Sequence, residues 1–437
     1  MIKKIFCICF SAFLLFSSTI VPAFAYTPTN FDVSAEGAML VSMDTGDVLY
    51  TKNIHKKFYP ASLTKIMTAL LLLENTTDLD VETITVSEYA VKSLLGTDSS
   101  IGGFKVGEQM TARQMLYNLL LSSANDGAIA IAEHIAGSQD AFIEMMNERA
   151  AELGMNDTHF VNPHGLYNPD HYTTPYDMYL LTTEALKNSV FKEIVATKRY
   201  TMPATNMNVA KTLSNSNMLI DSSTVHYYQY ATGVKTGFTD EAGRCLISTA
   251  TKDGYSYLCI LMKCPNNLTR IEFGDTKNLF EWAFNDFEYK SVVNTDSIVG
   301  EEKVGLAWDV DHVSLVPESN FCSVIPSKAD SSTVTLDVVL NSETIDAPVA
   351  KGQVLGTAKV MFAGEEIGTV RVVAAESVQR SKVLYGLRLL KDAMNTVWAR
   401  LIIAILVVAI IIFIISCIVM NMKRKSHKRH VHNYKRL

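Results

Sequence analysis

Two long apolar runs, one near each end of the 437-residue chain, dominate the pattern of hydrophobic and polar positions. The first lies within Met1–Ala25, where two lysines precede an apolar stretch and the segment ends in Ala23-Phe24-Ala25. A charged start, an apolar middle and a small-x-small ending predict a secretory signal peptide over residues 1–25, with an uncut membrane anchor as the alternative. The second run, Leu401–Met420, is about 20 residues long and predicts a transmembrane helix.

Between these runs, the pattern predicts a domain of mixed helices and strands over residues 26–289. Two pairs of β-rich segments are each joined by a short turn that contains Asp and Gly, which predicts two hairpins. The first pairs Met39–Met43 with Val48–Tyr50, and the second pairs Arg244–Thr251 with Tyr255–Lys263. Apolar residues at helical spacing predict six helices. These are a helix from Ser62 to Leu73, Thr111–Leu121 with Thr111 as its N-cap, a helix capped by Asp126 that reaches Ile135, Asp140–Leu153, Thr174–Lys187 and Lys277–Phe287.

After about Lys290, short Val-rich runs alternate with polar turns, which predicts a small all-β domain over residues 290–376. Residues 377–400 combine an apolar side with basic residues and predict an amphipathic juxtamembrane helix before the span at 401–420. The tail, 421–437, has seven Lys and Arg and no acidic residue. Because basic residues beside a spanning helix favour the cytoplasm, we expect a single-pass protein of the cell membrane with its domains outside and its tail inside.

The charge distribution limits the kind of partner. The chain has a formal charge of −6, to which the first 25 residues contribute +2 and the tail +7, so residues 26–420 carry −15. A surface this acidic argues against nucleic acid as a partner. Local positive residues must therefore hold any anionic substrate.

Seven cysteines are present, of which four lie between the predicted signal peptide and the predicted span. Four are too few for a disulfide framework in a domain of this size. A single bridge from Cys245 to Cys259 or Cys264, or buried free thiols, are both compatible with the sequence.

Ser62 and Lys65 form the first chemical motif, in the run Pro60-Ala61-Ser62-Leu63-Thr64-Lys65. Residues three apart project from one helical face, and a helix start directs a positive dipole end at the serine. This arrangement suits a serine nucleophile whose base is a lysine. The same spacing recurs at Ser189 and Lys192, where we expect no function.

Two further motifs follow in order, Ser123-Ala124-Asn125 and Lys235-Thr236-Gly237. With Ser62-x-x-Lys65, the set resembles the penicillin-recognising serine enzymes, and among them the low-molecular-mass D-alanyl-D-alanine carboxypeptidases. The surrounding residues strengthen the resemblance, which covers Tyr26–Phe287 and, more loosely, the β-domain. These are Tyr59–Thr68, Ser123-Ala124-Asn125-Asp126, His159–Leu166 and Gly233–Thr239.

The resemblance implies a β-lactamase-like α/β catalytic domain, with an antiparallel sheet flanked by helices and the active site beside an all-helical half. It implies hydrolytic removal of the terminal D-alanine from peptidoglycan stem peptides through an acyl-enzyme, with β-lactam antibiotics as acylating inhibitors. Such an enzyme acts in cell wall biogenesis and maintenance of cell shape. No cofactor or metal is expected.

The resemblance also implies roles for individual residues. Ser62 would be the nucleophile, and burial and the neighbouring Lys235 would lower the pKa of Lys65 so that it could accept a proton; either lysine could be the base. Ser123 would relay the proton to the leaving D-alanine, and Asn125 would hold Lys65 and the substrate amide. The predicted substrate-binding residues are Lys235, Thr236, Gly237, Phe238 (whose N–H would join that of Ser62 in an oxyanion hole) and Arg270, which would hold the terminal carboxylate.

Several alternatives remain. His164, Asp170 and His171 are metal-ligand types, but they lie in a Pro- and Gly-rich loop to which the resemblance gives a structural role. Asp177 is expected to fix the following helix. DD-endopeptidase or β-lactamase activity at the same site, a penicillin sensor without turnover and a silent wall-binding protein are the competing functions. The short tail argues against the sensor, and the absence of a Glu like the deacylating Glu of β-lactamases argues against rapid penicillin hydrolysis.

Overall fold

The computed structural model describes Tyr26, Pro28 and residues 30–267, 269–329 and 333–434. The predicted signal peptide, Met1–Ala25, and the tail residues Lys435 and Arg436 lie outside the described residues. The chain divides into two compact units. The first runs to Val292 and includes Cys322–Thr335 and Met361–Gly368, and the second comprises Val293–Phe321, Leu336–Val360 and the chain from Thr369.

An antiparallel sheet of five strands, in the order β2-β1-β9-β8-β7, forms the centre of the first unit, with β7 at one edge. Strands β3 and β4, and β5 and β6, form two further antiparallel pairs. The strand bounds are β1 Gly37–Ser42, β2 Val48–Lys52, β3 Thr83–Thr85, β4 Gln109–Thr111, β5 Arg199–Met202, β6 Lys211–Ser214, β7 Ala231–Thr239, β8 Gly243–Lys252, β9 Tyr255–Cys264 and β10 Phe287–Val293.

Both predicted hairpins are confirmed, β1 with β2 and β8 with β9. Gly46 and Gly254 have φ of 80° and 88° in the two turns, a conformation that glycine adopts without steric cost. These turns were predictable because the residues that make them are adjacent in sequence.

The central sheet is buried on both faces. Alternate residues of β1 point to opposite sides, so Met39 and Val41 join one apolar cluster while Ala38 and Leu40 join another. The first cluster contains the apolar residues of most helices, and the second contains Phe273, Leu279 and Phe280 of one helix. The result is a sheet between two helical layers, which confirms the predicted fold class.

Eight helices and two 3₁₀ turns complete the described part of the first unit. The first 3₁₀ turn spans Ala61–Thr64 and leads directly into the first helix, and the second spans Met218–Ile220. The helices are α1 Lys65–Asn75, α2 Glu88–Lys92, α3 Ala112–Leu121, α4 Asn125–Ala136, α5 Gln139–Glu152, α6 Pro175–Ala185, α7 Ser189–Ala196 and α8 Ile271–Asp286.

Some helix starts differ from the prediction. Thr111 caps α3 in a capping box with Gln114, as predicted. Asp126 is not the cap of α4, because the N-cap is Ala124 and the Asp126 carboxylate accepts from the N–H groups of Gly102 and Gly103 instead. The prediction for the last helix of this unit was also too short, since α8 begins at Ile271.

Strands dominate the chain after Val293. A six-stranded sheet has the order β14-β16-β17-β12-β11-β15, and β13 pairs with β10 instead. The bounds are β11 Gly300–Gly305, β12 His312–Pro317, β13 Phe321–Pro326, β14 Val334–Leu340, β15 Ile345–Asp346, β16 Val354–Phe362 and β17 Glu365–Ala374.

Two helices follow, α9 over Lys382–Met394 and α10 over Val397–Tyr434. The prediction of one helix through residues 377–400 was wrong, because α9 ends at Met394 and α10 begins three residues later. None of the residues of α9 is buried. Within α10, Val397–Arg424 is long and apolar enough to cross a membrane, which fits the predicted anchoring.

Candidate active site

Ser62 and Lys65 meet at the junction between the first 3₁₀ turn and α1. The prediction of one α-helix headed by Ser62 is corrected here: Ser62 belongs to the 3₁₀ turn, and Lys65 is the first α-helical residue. Lys65 Nζ lies 2.9 Å from Ser62 Oγ, 2.6 Å from Asn125 Oδ1 and 2.6 Å from the backbone oxygen of His164. The amine therefore touches the serine from inside the protein, with 0% of the residue exposed.

Burial also controls the charge of the two lysines. Burial, followed by the positive charge of Lys235, holds the pKa of Lys65 well below its ordinary value, while Asp126 acts in the opposite direction. Burial alone lowers the pKa of Lys235 to about 7, and this residue is 1% exposed. Keeping two neighbouring amines protonated in an apolar interior costs free energy. One of the two lysines can therefore be neutral near neutral pH.

Ser123 and Asn125 lie where α3 ends and α4 begins. Ser123 has φ of 58° and is nearly buried, which is an uncommon conformation for a residue with a side chain. Asn125 is the first residue of α4 and brings its amide oxygen to Lys65. The break between the two helices thus places Asn125 against the amine of Lys65 and Ser123 in the lining of the same cleft.

Strand β7 supplies the opposite wall. Thr236 Oγ1 lies 2.7 Å from Ser216 Oγ, and Lys235 Nζ donates to the backbone oxygen of Thr236 at 3.0 Å. A Cβ on Gly237 would lie 3.0 Å from the backbone oxygen of Pro60 and 3.2 Å from the N–H nitrogen of Ser62. Glycine therefore allows the edge strand to approach the serine closely.

Arg270 occupies the N-cap position of α8 with φ of 51°. Its Nε donates to Glu272 Oε1 at 2.6 Å, and its guanidinium lies 4.8 Å from the centre of the Phe273 ring. The carboxylate and the ring hold the guanidinium in one orientation.

An open cleft of about 680 Å³ connects these residues. Seven of the nine predicted site residues line it, while Lys65 and Lys235 are buried beside it. The seven are Ser62, Ser123, Asn125, Thr236, Gly237, Phe238 and Arg270. Among the described residues, no group of three or more His, Cys, Asp or Glu could hold a metal ion.

The resemblance implied a structural role for the loop at His164, but the contacts through which the loop acts were not predicted from the sequence. The backbone oxygen of His164 accepts from Lys65, and a Cβ on the next residue, Gly165, would lie 1.8 Å from the backbone oxygen of Ala61. Ala61 itself has φ of 47°. The Asn-Pro-His-Gly turn was visible in sequence, but its contact with residues about 100 positions earlier was not.

His171 connects this loop to the 3₁₀ turn that contains Thr64. Its Nδ1 accepts from the N–H of Val161 at 3.0 Å, so Nε2 carries the hydrogen and donates to Thr64 Oγ1 at 2.8 Å. Thr64 donates in turn to the backbone oxygen of Ala61 at 2.9 Å. Burial lowers the pKa of His171 to about 3, and it therefore acts as a neutral support for the residue before Ser62.

Two carboxylates hold neighbouring parts of the structure: Glu272, which the sequence did not assign, and Asp177, which was expected to fix the helix after its loop. Glu272, which holds Arg270, is almost completely buried. Asp177 accepts from the N–H of Asp157 and the hydroxyl of Thr158, and so fixes the loop to α6, while Thr174 caps that helix.

A family model described as D-alanyl-D-alanine carboxypeptidase matches residues 24–266, more than half of the chain. The chain belongs to this family. A second family model, described as the C-terminal domain of penicillin-binding protein 5, matches residues 287–380. The chain is therefore a serine hydrolase of the D-alanyl-D-alanine carboxypeptidase family, as the motifs indicated.

Individual relatives agree with this membership. D-alanyl-D-alanine carboxypeptidase DacF of Bacillus subtilis is 31% identical over 353 residues, covering 79% of this chain and 86% of the relative. Penicillin-binding protein 5 from Haemophilus influenzae has a similar structure, with a TM-score of 0.63 and 26% identity over 81% of this chain and all of that one. The DD-transpeptidase of Streptomyces K15 has a TM-score of 0.54 and 31% identity over 59% of this chain and 99% of that one.

Proposed function

We propose that Ser62 is the nucleophile with which this carboxypeptidase removes the terminal D-alanine from peptidoglycan stem pentapeptides. The observation that carries the proposal is the 2.9 Å contact between Ser62 Oγ and the fully buried amine of Lys65. A serine is a weak nucleophile unless a base stands beside it, and a buried lysine with a lowered pKa is such a base.

In the acylation step, Ser62 Oγ attacks the carbonyl carbon of the D-Ala–D-Ala bond while its proton passes to Lys65 Nζ. The N–H groups of Ser62 and Phe238 stabilise the oxyanion, and removing one such donor elsewhere costs about 3 kcal/mol. The C–N bond then breaks as Ser123 passes its proton to the leaving amine of D-alanine and takes in its place the proton held by Lys65, which returns Lys65 to the neutral form. Water hydrolyses the resulting ester, which releases the shortened peptide and restores the Ser62 hydroxyl.

The substrate lies against β7 in this proposal. Thr236 and the open backbone at Gly237 bind its main chain, Asn125 binds its amide, and Lys235 contributes local positive charge. Arg270 holds the terminal carboxylate, since a guanidinium fork matches a carboxylate in charge and geometry. This contact favours removal of a terminal residue over cleavage within a peptide.

We also infer the placement of the chain in a cell membrane. Residues 401–420, within the apolar helix Val397–Arg424, cross the bilayer, and the tail within 421–437 lies in the cytoplasm. Residues 26–289 and 290–376 fold outside as the catalytic and β-domains. The excess of Lys and Arg after the span supports this orientation across the membrane. The orientation brings the active site to the side where peptidoglycan lies.

Labelling with a fluorescent penicillin and release of D-alanine from a pentapeptide together test the function. The full-length chain should do both, Ser62→Ala should do neither, and Ser189→Ala should match the wild type. Labelling of Ser62→Ala at the wild-type rate would refute the assignment of the nucleophile. Labelling without release of D-alanine would favour a penicillin sensor, and continuous turnover of penicillin would favour a β-lactamase.

A further inference from the structure

Arg244, which the proposed mechanism does not use, lies in the same cleft as Ser62. It is the second residue of β8 and pairs in register with Phe238 of β7. Its guanidinium lies 4.5 Å from the centre of the Phe238 ring, within the range of a cation–π contact. The oxyanion-hole residue and the arginine thus support one another from adjacent strands.

The charge of Arg244 is incompletely compensated. Within the part of the chain that the structure describes, its buried Nε has no hydrogen-bond partner, and neither has the buried Oε2 of Glu272. Burial, and then the positive charge of Arg270, lower the pKa of Arg244, while Glu272 raises it. Leaving a buried donor of a charged group without a partner costs free energy, so its presence in the lining of the cleft that contains Ser62 suggests that a ligand supplies the acceptor.

The two arginines and Glu272 together carry a formal charge of +1. Glu272 already accepts from Arg270 at 2.6 Å. One further carboxylate in the cleft would make this group neutral and would offer acceptors to the guanidinium of Arg244. A carboxylate has about four acceptor positions and can be bound by two guanidinium forks at once.

We propose that Arg244 and Arg270 form a two-arginine subsite for the terminal carboxylate of the substrate, so that Arg244 is a specificity-determining residue of this enzyme. The inference rests on the proposed carboxypeptidase function. A second guanidinium increases the preference for a free C-terminus over a blocked one, because an uncharged end leaves the net charge of +1 on the two arginines and Glu272 uncompensated.

The test compares an N-acylated peptide ending in D-Ala-D-Ala with its C-terminal amide, using the full-length chain in detergent. Arg244→Gln should lower kcat/KM for the free acid about tenfold, mainly through KM, and change the value for the amide less than about twofold. Arg244→Lys should recover part of the loss, because it restores the charge without the fork. Arg199→Gln, on the exposed surface of β5, is the matched control and should leave both values unchanged.

Equal losses of kcat/KM for the acid and the amide in Arg244→Gln would show that Arg244 only maintains the strands. Unchanged values for both peptides would show that Arg244 does not contact the substrate. Either result overturns the proposal. A binding measurement separates this failure from failure of the proposed function. The free-acid peptide should slow penicillin labelling of Ser62 at about tenfold lower concentration in the wild type than in Arg244→Gln, even if no D-alanine is released. An equal competing concentration in the two proteins overturns the subsite.

Discussion

Ser62-x-x-Lys65 and Ser189-x-x-Lys192 have the same spacing but opposite surroundings. Lys65 is fully buried, with the Ser62 hydroxyl and two carbonyl oxygens within 2.9 Å of its amine. Ser189 and Lys192 are exposed on α7. Asn188 caps that helix by accepting from the N–H groups of Val190 and Phe191. Spacing places two side chains on one face of a helix, but distant parts of the chain supply the burial and the acceptors that give a lysine its chemistry.

The largest difference between the two motifs should appear when each lysine is replaced. Lys65→Gln should slow acylation by penicillin about 10²- to 10⁴-fold, the usual contribution of a general base, whereas Lys192→Gln should have no effect. Stopped-flow or gel-based labelling of the full-length proteins measures both rates. Equal acylation rates in Lys65→Gln and Lys192→Gln would show that the two motifs do not differ in function.

The second prediction concerns the loop that positions Ser62. Gly165→Ala should lower the free energy of unfolding by on the order of 3 kcal/mol and slow acylation, because the new Cβ would overlap the backbone oxygen of Ala61. Gly154→Ala is the matched control, since Gly154 has a similar positive φ, 78°, but a Cβ at this position would have no neighbouring atom within 4 Å. It should cost about 1 kcal/mol with unchanged acylation. Thermal unfolding and penicillin labelling distinguish the two; equal losses would mean that backbone strain alone is responsible.

The pH dependence of acylation should shift when Lys235 loses its charge. Lys65 accepts a proton only when neutral, so the rate rises with pH through the pKa of Lys65. Because the charge of Lys235 lowers that pKa, Lys235→Gln should move the rising limb to higher pH. Labelling rates across the pH range measure the shift, with Lys192→Gln as the control. A limb that keeps its position, or moves to lower pH, would contradict the coupling of the two lysines.

The smallest effect is expected at the cap of the exposed motif. Asn188→Ala removes an acceptor for two N–H groups and should lower the free energy of unfolding by about 1 kcal/mol, equivalent to about 2–4 °C in Tm. Acylation by penicillin should remain at the wild-type rate. A marked loss of acylation would show that α7 is coupled to the active site.

Local sequence was sufficient to predict some elements of the structure. The two hairpin turns and the Thr111 cap were predictable because their partners lie within a few residues. The motifs were sufficient to select the residues that meet in the cleft, because their order along the chain was shared with a known family.

Long-range contacts explain most of what was missed. Ser62 lies in a 3₁₀ turn instead of an α-helix, where Ala61 has a positive φ and its backbone lies against Gly165. Asp126 binds two N–H groups of a distant loop instead of capping α4. Arg244 was not predicted as a site residue, because an arginine at the start of a strand is ordinary until its neighbours are known.

The contacts of Lys65 also determine the direction from which its proton arrives. A neutral amine has two N–H bonds and one lone pair. Asn125 Oδ1 and the backbone oxygen of His164 can only accept, so they take both N–H bonds. The lone pair then faces the hydroxyl of Ser62. When the proton crosses, the ammonium has three hydrogens for three acceptors that are already in place, and the site changes its charge without rearranging its atoms.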